Sequence, residues 1–138
     1  MRKPLTVLAA AALAAVLVPA TASATPGSGV TGTILAQKTI GHTDYTLREI
    51  TVQPGGYTGW HFHDGTLYAY VKAGTLTHNL ADCSIDGIFG TGRAFTEHPD
   101  QVHIGRNLGS TPLVLEVLYV LPAGSPLSED APDPGCGF

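Results

Sequence analysis

The chain has 138 residues, 43 % hydrophobic and 13 % charged, with a formal net charge of −4. That length holds one domain and excludes a second. The composition excludes a disordered polyelectrolyte, and the acidic balance argues against nucleic acid as a partner. Seventeen glycines and ten prolines suit short strands joined by many turns better than helices.

Residues 1–24 read as a secretory signal peptide. Arg2 and Lys3 precede an apolar run from Leu5 to Val18, and Ala22-Ser23-Ala24 supplies a small-x-small cleavage pattern. The run is too short and alanine-rich for a membrane anchor. A single arginine, not a twin-arginine pair, points to Sec-type export. The protein is therefore expected to be secreted, to begin at Thr25 after cleavage, and to have no membrane attachment from then on. Cleavage removes two positive charges and no acid, leaving a more acidic chain.

From there the pattern predicts strands. Thr33 to Ile40 and Tyr45 to Val52 flank a Gly41-His42 turn, and Pro54-Gly55-Gly56 breaks the chain. Tyr57 to His63 follows as a third strand, then Leu67 to Lys72 and Thr75 to Leu80, with a loop at Asp82 to Asp86. Gly92 to Glu97, Val102 to Asn107 and Leu113 to Val120 complete the set, and Pro122 ends the last. About eight short strands without helical periodicity predict an all-β sandwich or barrel. The domain spans residues 25–124, and 125–138 read as an irregular tail. Cys83 and Cys136, 53 positions apart, are the two cysteines. An even count in an exported chain reads as one disulfide, which would tie the tail down.

Six histidines are many for so small a chain. In Trp60-His61-Phe62-His63, strand alternation puts His61 and His63 on one face, with Tyr57 and Gly59, and turns Trp60 and Phe62 to the other. Two imidazoles side by side on a strand suit a divalent metal. His42 and His78 read as surface residues and His98 as a solvated loop residue. Asn107 reads as a turn-fixing residue. Among the strand carboxylates Glu49, Glu97 and Glu116, Glu97 is best placed to reach a site that includes His103.

With its gaps, the stretch is Gly55-x5-His61-x-His63-x3-Leu67-x6-Gly74, and further on comes Gly92-x5-His98-x-Asp100-x2-His103-x3-Asn107. The first resembles the cupin motif G-x5-H-x-H-x3-E-x6-G with one mismatch. The second resembles G-x5-P-x-G-x2-H-x3-N, with the proline displaced to Pro99 and Asp100 in place of the second glycine. Seventeen residues, Thr75 to Thr91, separate them. The chain thus resembles the cupin superfamily over roughly Leu47 to Val120, and in particular the small exported single-domain cupins of bacteria.

The resemblance implies a jelly-roll β-barrel with His61, His63 and His103 as ligands of a divalent metal: Zn, Mn, Ni, Cu or Fe. The family's glutamate falls on Leu67, which cannot coordinate. Three neutral imidazoles would leave the charge of the ion uncompensated, so it would bind less tightly and polarise a ligand more strongly. Tyr57, Leu67 and Glu97 are the pocket candidates, and Leu67 would make one wall apolar. The function implied is metal-dependent, oxygenase-like chemistry on a small molecule. A non-catalytic ligand-binding or metal-sequestering cupin is the alternative. A homodimer is expected from family analogy.

Overall fold

A computed structural model describes residues 25–138. The expected signal peptide lies outside the described residues. The described chain is all β and forms ten strands: β1 (Ser28–Ile40), β2 (Thr43–Tyr57), β3 (His61–Phe62), β4 (Thr66–Ala73), β5 (Thr75–Leu80), β6 (Ile85–Gly90), β7 (Ala94–Glu97), β8 (His103–Arg106), β9 (Leu113–Pro122) and β10 (Glu129–Asp130). Every pairing is antiparallel.

Two walls enclose the core. One runs β1-β2-β9-β4-β7 and the other β6-β5-β8-β3-β10. They join where the end of β2 pairs with β8, Tyr57 opposite Arg106. This is a nearly closed barrel, as the strand spacing predicts, and is consistent with the jelly roll that the resemblance implies. Alternation decides what faces inward. Leu113, Leu115, Val117, Tyr119 and Leu121 of β9 are buried, as are Leu67, Ala69 and Val71 of β4. They pack with Ile50, Val52 and Leu76 into one apolar cluster. The half of the chain that holds the histidines is placed against that cluster by β5 and β8.

Asn107 fixes a turn, as expected. It is fully buried, its Nδ2 donates to the carbonyls of Val52 (2.9 Å) and Thr111 (2.8 Å), and its Oδ1 accepts from the Gly109 amide (3.0 Å). Asp100, which stands where the cupin motif has glycine, has φ +59°. That left-handed conformation explains the motif's glycine, and a short polar side chain tolerates it. The Asp100 amide donates to the His63 carbonyl (2.9 Å) and so ties this turn to β3.

Three elements depart from the sequence reading. β2 runs on through Pro54-Gly55-Gly56 to Tyr57. β6 begins inside the expected loop and continues through residues given no element in the sequence reading; it is a half-exposed strand that pairs with β5 alone. The tail is mostly irregular but contains β10, which pairs with β3, Glu129 opposite Phe62 and Asp130 opposite His61. Cys83 and Cys136 form the expected disulfide. Near it, Phe138 stacks on Trp60 with centroids 6.1 Å apart, and the Arg106 guanidinium carbon lies 3.6 Å above the Phe138 ring. The tail is thus bound down across the wall that holds the histidines.

Candidate metal centre

His61 and His63 come from β3 and His103 from β8, and register puts His61 directly opposite His103. Ring centroids are 4.3 Å apart for His61–His103, 4.8 Å for His61–His63 and 5.2 Å for His63–His103. One nitrogen from each of the three rings lies within 4.8 Å of the other two. The structure therefore brings together the three histidines that the sequence singled out.

The outer ring nitrogens are all engaged. Nδ1 of His61 is 2.9 Å from the Gly59 carbonyl, Nδ1 of His63 is 2.7 Å from the Leu127 carbonyl, and Nδ1 of His103 is 2.7 Å from the Gln101 carbonyl. A carbonyl only accepts, so each Nδ1 carries a proton and donates it. Each ring then presents its Nε2 inward. Backbone support of this kind orients imidazoles for metal binding. Nε2 of His63 and of His103 is buried without a hydrogen-bond partner. Burial, with His103 and His63 alongside, pushes the His61 pKa down to about 3, so His61 is neutral and available as a ligand.

Glu97 brings a carboxylate beside Leu67, which cannot coordinate. The two residues are direct cross-strand partners on β7 and β4, one strand apart, and line the same cavity. Its Oε2 lies 3.3 Å from His63 Nε2 and 3.5 Å from His103 Nε2. Burial raises its pKa, but contacts with His103, His63 and His78 outweigh this and hold it well below 4.5. The donor set of three imidazoles and one carboxylate suits Zn, Cu, Ni or Fe. The residues fit the metal that the fold implies.

His78 is the candidate ligand that the sequence reading missed. It was expected at the surface, yet it is 1 % exposed. Its Nδ1 is 3.1 Å from Asp86 Oδ2, and its unpartnered Nε2 is 3.6 Å from Glu97 Oε1. With Glu97 and His103 it forms a second group of potential ligands. The available signal was its place two residues after Leu76, on the same inward face of β5. It was masked because Thr77 and Asn79, on the opposite face, are buried as well, Asn79 beneath Arg106 (2.9 Å).

Of the pocket candidates, Leu67 is buried and walls the cavity, and Glu97 lines it too. Tyr57 does not. It is 39 % exposed and lies beside Trp60 and Phe138 on another part of the surface. The reason is a break in alternation. β2 ends at Tyr57 and β3 begins at His61, with Gly59 between them at φ +79°. Thr58 faces the cavity instead, with its Oγ1 3.4 Å from His61 Nδ1. His98 and His42 are exposed, as expected. Glu49 and Glu116 face outward and share Lys72, at 2.7 and 3.4 Å.

A cavity of about 40 Å³ adjoins His61, His63 and Glu97, with Leu67, Leu76, Leu115 and Val117 as apolar walls. A second of about 110 Å³, with Arg48, Ser128 and Asp130 on its rim, shares His61, His63 and Tyr119 with the first. The histidine cluster is therefore reachable by a small molecule.

Residues 48–121 match the family model described as "Cupin domain". No curated protein matches the sequence. Among solved structures, the polyketide cyclase RemF from Streptomyces resistomycificus is 22 % identical, with 80 % of this chain and 79 % of that one covered and a TM-score of 0.61. A cupin-2 domain protein from Rhodospirillum rubrum is 17 % identical over 75 % of this chain and 66 % of its own, also with a TM-score of 0.61. A cupin domain from Bordetella pertussis is 22 % identical over 70 % of this chain and 95 % of its own, with a TM-score of 0.56. These likenesses bear on the fold alone; with the family match spanning more than half of its length, this chain belongs to the cupin family.

Proposed function

We propose that this protein is an exported cupin that binds a divalent metal ion through His61, His63 and His103, with Glu97 as the compensating carboxylate, and acts on a small molecule. The single observation that carries this reading is the convergence of inward, backbone-supported imidazole nitrogens on the Glu97 carboxylate. Export is part of the same reading. It rests on the pattern of residues 1–24 and on the disulfide, which belongs to an oxidising compartment.

The ion would supply Lewis-acid polarisation of an oxygen ligand. The protein's own contribution is orientation and exclusion of water. The carbonyls of Gly59, Leu127 and Gln101 hold the three rings with Nε2 inward. Leu67, Leu115 and Val117 keep one side of the site dry. Glu97 lowers the net charge that the ligand meets and makes the ion easier to retain. The proposed reaction class is oxygenase-like, because an imidazole-rich centre beside a small cavity resembles the centres of cupin dioxygenases.

The test is titration of metal-free protein with Zn, Mn, Ni, Cu and, anaerobically, Fe(II), beside the His63→Ala variant. Tight binding of at least one ion by the wild type, lost in the variant, is the expected result. Equal binding by both overturns the site. Diketones, catechols, thiols and oxalate then test turnover by the loaded protein.

A further inference from the structure

The rim of the cavity carries a cation for which the metal site has no use. Arg48 lies on β2 between Thr46 and Ile50, both buried, so it shares their inward face. Its guanidinium lies over Gly32 of β1, where an added Cβ would overlap its terminal nitrogens. Glycine at that position leaves the space that the guanidinium fills. Among the described residues no carboxylate forms an ion pair with Arg48. Asp130, on the same rim, is exposed and unpaired with it. Arg48 lines the outer cavity together with Tyr119, His61 and His63. Among the described residues, Arg48 is the only Lys or Arg that lines either cavity.

We infer that Arg48 is a specificity-determining residue that binds the anionic group of a small carboxylate ligand, whose apolar body extends past His61 and His63 toward Leu67 and Val117. This deepens the functional reading above by naming the substrate class, and it rests on that reading only for the place where the ligand reacts. The chemistry follows from the side chain. A guanidinium presents a planar fork of donors that matches a carboxylate in two parallel hydrogen bonds. A cation without an acidic partner at a cavity mouth also raises the local concentration of anions. The inner chamber has room for a few carbon atoms, and its lining besides the histidines, Glu97, Thr58 and Tyr119 is apolar, so the ligand is a small carboxylate with an aliphatic or similarly compact body.

The experiment titrates metal-free protein with butyrate and with butyramide, which share shape and differ in charge, and follows binding by NMR chemical-shift changes. The wild type is expected to bind butyrate at least about tenfold more tightly, the usual worth of a hydrogen bond to a charged group. In Arg48→Gln that preference vanishes. In Gly32→Ala, which keeps the charge but displaces the guanidinium, it falls in the same direction, and this variant serves if Arg48→Gln fails to fold. Equal binding of the two probes by the wild type overturns the inference, as does an undiminished preference in either variant. Zinc titration separates the two readings. Zinc binding without a carboxylate preference removes only the role of Arg48, and the preference without zinc binding removes only the metal site.

Discussion

Replacing Glu97 by Gln removes one negative charge and keeps the size of the side chain. Glu97 Oε2 lies 3.3 Å from His63 Nε2 and 3.5 Å from His103 Nε2, so its carboxylate would face an ion held by them. Two unit charges 4 Å apart interact by about 4 kcal/mol at an effective dielectric constant near 20. A divalent ion and a carboxylate at that separation gain about 8 kcal/mol before desolvation. The group is only 13 % exposed, and its burial takes back several kcal/mol. About 3 kcal/mol remains, or roughly a hundredfold in Kd. Competition with a chromophoric zinc chelator measures this, with thermal melts of the metal-free proteins to confirm folding. Because Leu67 and Glu97 are direct cross-strand partners, the swap Leu67→Glu with Glu97→Leu should restore most of the lost affinity. Zinc binding by Glu97→Gln as tight as wild type refutes the assignment of Glu97 as the carboxylate of the site.

Reduction of the disulfide, or Cys136→Ser, should lower stability by about 4 kcal/mol on the chain-entropy model for a loop of 53 residues, read as a shift of the urea midpoint. It should also weaken zinc binding, because the tail supplies the Leu127 carbonyl that orients His63. Asn107→Ala removes three hydrogen bonds from a fully buried turn and should destabilise the protein by about 2–4 kcal/mol in chemical denaturation, with zinc affinity nearly unchanged in the folded fraction. The metal-free protein should lose stability in acid. The pKa of His61 is about 3 when folded against 6.5 for the free side chain, so the unfolded chain binds the extra proton between those values. This contribution is complete above pH 6.5 and is lost as the pH falls toward 3, and the lowered pKa of Glu97 acts in the same direction below 4.5. A melting temperature of the EDTA-treated protein that stays flat from pH 7 to 4 would contradict this.

The legible part of the fold is the part set by local rules. Apolar alternation marked β4 and β9, whose inward residues form the core. His61-x-His63 and His103 were legible because strand alternation and two spaced motifs point to one face. Glu97 could be named as the best-placed carboxylate, but only register shows that it stands opposite Leu67. Other features depend on relations between distant segments. His78 is buried because β5 is covered on both faces, by the core on one side and by Arg106 on the other, so no alternation marks it. Tyr57 leaves the cavity because a positive φ at Gly59 resets the side-chain alternation inside what reads as one strand. The support of His63 by the Leu127 carbonyl belongs to a backbone atom 64 residues away, which no side-chain pattern records.

The most direct measurement is a crystal structure of the zinc-loaded protein with anomalous data at the zinc edge. One peak is expected about 2.0–2.1 Å from Nε2 of His61, His63 and His103, with a Glu97 oxygen about 2.0–2.2 Å from the ion. An ion bound elsewhere, or full-strength zinc soaking that leaves no anomalous peak among these histidines, would contradict the metal centre.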